Sequence, residues 1–154
     1  MSGSSWRSGG LATIAYIPRV LVADDDPEVR ALVTTVLRHH DYHVFEASDG
    51  DELLALLARP ASSKPPDLIV TDVRFPGASG LDALSRFREH DRLTPVVLMT
   101  GYCDEYIRDR ARRLGVSRIF EKPFDIEELQ CEILHLAPPE AFDHRKWPPR
   151  SEWE

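Results

Sequence analysis

The chain has 154 residues, 42% of them hydrophobic and 29% charged, with a formal net charge of −7; that is one ordinary domain with short extensions and excludes two large ones. No apolar run approaches the roughly 20 residues of a membrane-spanning helix. The acidic balance disfavours non-specific binding to nucleic acid or to an anionic membrane surface, and the Ser/Gly-rich start, whose apolar piece Leu11 to Ile17 is broken by Pro18, argues against a secretory signal. A cytoplasmic protein is the expectation, with Cys103 and Cys131 as reduced, partly buried thiols, since neither CxxC spacing nor nearby ligand residues support a zinc site or a disulfide framework.

Residues 1–17 read as a loosely ordered extension. From Pro18 to Ala137 short apolar runs alternate with amphipathic stretches, the pattern of a parallel sheet covered by helices. The first strand is Arg19 to Ala23. Asp26-Pro27-Glu28 then sets a capping carboxylate before a proline at the first helical position, and Val29, Leu32, Val33, Val36 and Leu37 fall on one helix face. A second strand, His43 to Ala47, leads to a helix of about Gly50 to Ala58, and Arg59 to Pro66 reads as a solvated connector. The third strand is Asp67 to Asp72, followed by a helix that Ser79 and Asp82 announce as a capping box. The fourth strand is Pro95 to Thr100, with a helix of about Asp104 to Leu114; the fifth is Arg118 to Lys122, with a helix begun by Asp125 and Glu128 as a second capping box. Strands one, three and four are nearly all apolar, as strands buried on both faces must be, whereas HVFEA and RIFEK carry charge mid-strand and suit the edges. The predicted fold is α/β, a doubly wound five-stranded parallel sheet in the order 2-1-3-4-5. Pro138 to Glu154 forms a Pro- and Trp-containing tail, too short for an output domain, and Trp6, Trp147 and Trp153 all lie in the two ends.

Open parallel sheets bind ligands at the carboxyl ends of their strands. Those ends carry Asp24 and Asp25, Asp72, Thr100 and Lys122. Carboxylates about 5 Å apart repel by roughly 3 kcal/mol at an effective dielectric near 20, so the cluster calls for a cation. Hard oxygen donors with room for water and a phosphate oxygen favour Mg²⁺, and Lys122 and the Thr100 hydroxyl would complete a site for in-line phosphoryl transfer to a carboxylate. Asp26 is assigned to the helix cap, and the six scattered histidines to surface or structural roles. Arg108 to Arg113 (RDRARR) reads as the solvated face of its helix.

The segments VLVADDDPEVR (Val20 to Arg30), DLIVTDVRFPGASG (Asp67 to Gly80), VVLMTG (Val96 to Gly101) and EKPF (Glu121 to Phe124) occur in this order. Together they resemble the response-regulator receiver domain of two-component signalling, over about 120 residues. The resemblance implies a CheY-like, flavodoxin-like three-layer sandwich over residues 18–137, standing alone between the two extensions. It implies Asp72 as phospho-acceptor, Mg²⁺ held by Asp24, Asp25, Asp72 and the Arg74 backbone carbonyl, Thr100 and Lys122 as phosphoryl contacts, and a cis bond before Pro123. It implies a sensor histidine kinase or histidine phosphotransferase as donor and a downstream effector protein as partner. DNA and membrane are not expected as direct partners. The face of the fourth helix, fifth strand and fifth helix would report the phosphorylation state and serve any homodimer. On this reading the protein is no enzyme beyond its own phosphorylation and dephosphorylation.

Two departures from the family pattern stand out. The switch aromatic, three residues before the lysine, is Ile119 here, with Phe120 beside it, so switching would involve a smaller surface change or would pass through Phe120 or Tyr102. The positions that tune phosphoryl lifetime hold the bulky Arg74 and Tyr102, which predicts slow water access and a long-lived phosphoprotein. The competing reading is a constitutive, phosphorylation-independent docking module on the same fold, which Ile119 favours and the intact acidic set opposes. A flavodoxin-type nucleotide site is disfavoured because ADDDPE would repel a phosphate without metal.

Overall fold

The computed structural model describes residues 17–58 and 64–139. The tryptophans and the two loosely ordered ends expected at 1–17 and 138–154 lie almost wholly outside these residues, as does most of the connector expected at 59–66. Ten elements alternate: β1 (Arg19–Ala23), α1 (Pro27–His39), β2 (His43–Ala47), α2 (Gly50–Leu57), β3 (Leu68–Asp72), α3 (Gly80–Phe87), β4 (Val96–Thr100), α4 (Glu105–Arg113), β5 (Arg118–Glu121) and α5 (Ile126–Leu136). All strand pairings are parallel, in the order β2-β1-β3-β4-β5. The strands with mid-strand charge are the edges, as their sequences require.

Side-chain parity divides the interior into two layers. Val20 and Val22 of β1, Leu68 and Val70 of β3, Val97 and Met99 of β4 and Phe120 of β5 pack with Val33 and Leu37 of α1 and with Leu129 and Ile133 of α5. The alternate residues, Leu21, Ala23, Ile69, Val96 and Leu98, pack with Leu53 of α2, with Leu81 and Leu84 of α3 and with Ile107 and Ala111 of α4. The three central strands face a helix layer on each side, which is why their sequences are apolar at every position rather than at alternate ones.

Three strand ends fall one residue short of the sequence expectation, each for a local reason. Asp67 precedes β3 because its carboxylate, not only its backbone, engages β1: Oδ2 accepts the Arg19 amide at 2.8 Å. Pro95 precedes β4 because it has no N–H to give the ladder. Lys122 follows β5, its amide making a last bond to the Thr100 carbonyl at 2.7 Å; the next residue, Pro123, again lacks a donor and is cis, as expected.

Each helix is capped by a side-chain oxygen, which satisfies one of the amides left over at a helix start. Asp26 accepts from the Glu28 amide, Asp49 from Glu52, Ser79 from Asp82 and Asp104 from Ile107. Both expected boxes are half made: Asp82 turns its carboxylate to Arg110 at 3.0 Å, and Asp125 accepts from the Glu127 amide while Glu128 turns to Arg118 at 3.4 Å. At the opposite end from the acidic strand termini, Arg88 is buried, and its guanidinium donates to the carbonyls of Leu114 at 2.7 Å and Asp91 at 3.2 Å. The side chain thereby ties the end of α3 to the exposed carbonyls at the end of α4.

Candidate functional site

The register of the sheet delivers the acidic residues to one place. Ala23 pairs with Thr71 and Asp72 with Met99, so the residues just past β1, at the end of β3 and at the end of β4 stand side by side. Carboxylate oxygens of Asp24, Asp25 and Asp72 all lie within 4.8 Å of one another. Asp24 and Asp72 are buried and Asp25 is exposed.

Lys122 reaches this cluster from the loop after β5. Its Nζ donates to Asp24 Oδ2 at 2.7 Å and to Asp72 Oδ2 at 2.9 Å. The other oxygens of these carboxylates are oriented by backbone: Asp24 Oδ1 accepts the Asp26 amide at 2.9 Å, and Asp72 Oδ1 accepts the amides of Val73 at 2.6 Å and Arg74 at 3.3 Å. Arg30 adds support that the sequence reading did not foresee. Its Nη1 donates to the Asp24 carbonyl at 2.7 Å while its Nε pairs with Glu46 of β2 at 3.1 Å, fixing the backbone of the first aspartate from α1.

Three carboxylates against one ammonium leave the pocket short of positive charge, and Asp24 and Lys122 both register it. Burial pushes the Asp24 carboxyl above the ordinary aspartate range and Asp72 adds to the rise, although the Lys122 bond and the Asp26 amide oppose it. Burial works to lower the Lys122 ammonium, but its bonds to Asp24 and Asp72 outweigh that and hold it above the ordinary lysine value. Both shifts reflect a surplus of negative charge, which a hard cation would relieve, and an all-oxygen carboxylate donor set is the one Mg²⁺ prefers.

The remaining predicted residues divide. Thr100 is buried at the end of β4, and its hydroxyl donates to the Tyr102 carbonyl at 2.8 Å. Arg74 and Tyr102 meet each other, the guanidinium 5.8 Å from the ring centroid, and Tyr102 is 61% exposed. Ile119 is half-buried against the α3 and α4 layer. Phe120, the other residue expected to take part in switching, is buried in the opposite layer, edge-on to Phe124 and beneath the Arg118 guanidinium at 4.3 Å. Adjacent residues of a strand face opposite sides of the sheet, so only one of the pair has access to the α4 side.

The receiver-domain family of response regulators matches residues 20–134. The chain belongs to that family. Over 120 residues this receiver is 29% identical to sporulation initiation phosphotransferase F of Bacillus subtilis, a match covering 78% of the chain and 94% of that relative. It is 35% identical over 117 residues to the transcriptional regulatory protein PdtaR of Mycobacterium tuberculosis and 34% identical over 117 residues to the regulatory protein AtoC of Escherichia coli. Those matches cover 75% and 76% of the chain but 55% and 24% of the two relatives. Among solved structures, the chemotaxis protein CheY4 of Vibrio cholerae superimposes with a TM-score of 0.69 at 25% identity, covering 79% of the chain and 99% of CheY4. A CheY-like receiver from Methanospirillum hungatei, at 21% identity and a TM-score of 0.71 over 78% of the chain and 93% of its own, shares the fold. The chain is thus a receiver of two-component phosphorelay signalling. No helix among the described residues is long and apolar enough to cross a membrane.

Proposed function

We propose that Asp72 is the phospho-acceptor of this receiver, taking a phosphoryl group from a phosphohistidine of a sensor histidine kinase or histidine phosphotransferase. One observation carries the reading. A single ammonium, Lys122, holds two buried carboxylates from different strand ends at 2.7 and 2.9 Å, with a third carboxylate within 4.8 Å.

In the transfer a carboxylate oxygen of Asp72 forms a bond to phosphorus as the phosphorus–nitrogen bond breaks, and the imidazole leaves with the electron pair and takes up a proton from solvent. The amides of Val73 and Arg74 fix the plane of the Asp72 carboxylate, so the nucleophile enters the reaction already oriented. Lys122 is positioned to follow charge from the carboxylates onto the phosphoryl oxygens. Mg²⁺, held by Asp24, Asp25, Asp72 and the Arg74 carbonyl, supplies the remaining neutralisation of the transferred group when bound. Thr100 carries one hydroxyl proton, now given to Tyr102, and contacts the acyl phosphate by transferring that bond. The interaction partners on this reading are the phosphodonor protein and an effector that docks on the α4, β5 and α5 face, the surface also assigned to any homodimer. Residues 18–137 act as the signalling unit in the cytoplasm.

Intact mass after incubation with Mg²⁺ and acetyl phosphate or phosphoramidate, beside an Asp72→Ala control, tests the proposal. A single phosphoryl adduct that requires Mg²⁺ and is lost in the control is the expected result. No adduct under conditions that label another receiver would leave the phosphorylation-independent docking module as the working description.

A further inference from the structure

Two glycines touch the loop that carries the acceptor. A side chain at either position would strike backbone: a Cβ on Gly50, in the first turn of α2, would lie 1.8 Å from the Ala78 carbonyl oxygen and 2.6 Å from its carbon, and a Cβ on Gly80 would lie 2.1 Å from the Asp72 carbonyl oxygen. Neither glycine has the positive φ that marks Gly77 and Gly115, so space rather than backbone conformation is what these positions demand. Atoms of the main chain have no rotamer into which to withdraw. A substitution must displace either α2 or the loop.

The helix is the firmer of the two. Leu53 anchors α2 in the core with no exposure, and Asp49 caps it onto the Glu52 amide. The loop has no repeating main-chain ladder: its feet are joined where the Gly80 amide donates to the Val73 carbonyl at 2.8 Å, and Phe75 leans partly buried on the core. Ala78 lies between those feet, and Val73 and Arg74, whose amides hold Asp72 Oδ1, lie in the same short span. Asp51 of α2 meets the loop a second time, its carboxylate 3.4 Å from where a Cβ on Gly77 would stand.

We propose that Gly50 is a positioning residue for phosphorylation: by letting the Ala78 carbonyl rest on the first turn of α2, it sets where the Val73 and Arg74 backbone stands over the carboxylate cluster. The inference rests on Asp72 being the acceptor and deepens that reading, because it makes a helix with no catalytic side chain determine the metal and acceptor geometry. Glycine is disfavoured against alanine in a helix, so without the loop contact Gly50→Ala would be harmless or stabilising.

The test is the full chain carrying Gly50→Ala, with Leu53→Ala as a control that weakens the same helix without pressing on the loop. Unfolding temperature is read by circular dichroism, and labelling by acetyl phosphate is followed across a Mg²⁺ titration well below that temperature. A misplacement of about 1 Å near a reacting centre costs on the order of 10²-fold in rate, so Gly50→Ala is expected to label 10- to 100-fold more slowly or to need correspondingly more Mg²⁺. Leu53→Ala is expected to melt earlier with an unchanged Mg²⁺ midpoint. A folded Gly50→Ala with wild-type rate and midpoint overturns the inference while wild-type labelling leaves the acceptor assignment standing; loss of labelling in the wild type itself sinks that assignment instead. If Gly50→Ala does not fold, the wild-type chain decides: in a Mg²⁺ titration followed by amide resonances, residues 50–52 are expected to shift with the midpoint of Val73 and Arg74, and stationary resonances at 50–52 would refute the coupling.

Discussion

Replacing Asp25 by asparagine is expected to stabilise the metal-free protein and to abolish its response to Mg²⁺. Asp25 lies within 4.8 Å of both Asp24 and Asp72, and each such pair repels by about 3.5 kcal/mol at an effective dielectric of 20 and about 0.9 kcal/mol at that of water. Lys122, bonded to both other carboxylates, attracts Asp25 as well and to first order cancels one of the two repulsions. Asp25 is exposed, so the water-like figure applies to the remaining one, and the net gain is about 1 kcal/mol. For a domain of this size that raises the unfolding temperature by about 4 °C. The wild type should gain stability on adding millimolar Mg²⁺, because a ligand that binds only the folded state stabilises it, and the variant should not. Thermal melts followed by circular dichroism, with and without Mg²⁺, measure both effects. A variant that melts lower than wild type in the absence of metal, or that keeps the metal response, refutes the electrostatic account of the pocket.

Arg74 and Tyr102, two residues past Asp72 and Thr100, are expected to slow dephosphorylation. The Arg74 guanidinium and Tyr102 ring are stacked at 5.8 Å; an exposed pair of this kind is held by about 0.5–1 kcal/mol, so Tyr102→Ala or Arg74→Ala should shorten the lifetime of the acyl phosphate about two- to fivefold, read as decay of the adduct by intact mass, and equal lifetimes would remove the pair from the mechanism. Asp91 supplies the pH prediction. Burial works to raise its carboxyl, but hydrogen bonds from Thr94 Oγ1 and from the amides of Leu93 and Thr94, with the Arg88 charge, outweigh this and hold it below the ordinary aspartate value. A group depressed in the folded state contributes stability that is present above its unfolded value and is lost as pH falls through the folded one. Asp91→Asn should therefore flatten the acid limb of urea midpoints taken between about pH 3 and 6; a limb as steep as wild type would show that other groups dominate it.

Sheet order and acidic cluster were legible in the sequence because both depend on features local to a strand. A run such as VVLM must be covered on both faces, and a carboxylate following an apolar run stands at the carboxyl end whatever the rest of the chain does. The Asp26 cap was legible for the same reason and the two boxes only by half, since the carboxylates of Asp82 and Glu128 are taken by Arg110 and Arg118 from elements far along the chain. What escaped depends on neighbours distant in the chain. Gly50 and Gly80 look like ordinary helix-start glycines until the Ala78 and Asp72 carbonyls are placed against them. Arg88 took no part in the sequence reading, and its burial depends on the carbonyls of Leu114 and Asp91 that accept from its guanidinium. Which layer Ile119 and Phe120 each face turned on strand parity, set by the pairing of Leu98 with Ile119 and of Met99 with Phe120.

That parity bears on how a signal leaves the site. Thr100 has one hydroxyl proton, and the Tyr102 carbonyl holds it at 2.8 Å while the Tyr102 amide donates back to the same oxygen at 3.2 Å. On the proposed reading, an acyl phosphate on Asp72 would compete for that proton and weaken the bond that ties Thr100 to the Tyr102 carbonyl. Residues 101–103 run directly into Asp104, the cap of α4, whose Oδ1 accepts the Ile107 amide at 2.9 Å. Loss of that bond is therefore expected to reach the entry of α4 through the main chain, without requiring a large side chain at position 119 to turn. Ile119 is β-branched and has few rotamers in a strand, and it is half-buried against the α4 layer, so it constrains where the helix settles rather than reporting the change by moving out to solvent. A receiver with isoleucine at this position is consistent with an output carried by the β4–α4 connection and by the exposed Tyr102 and Tyr106 that flank it.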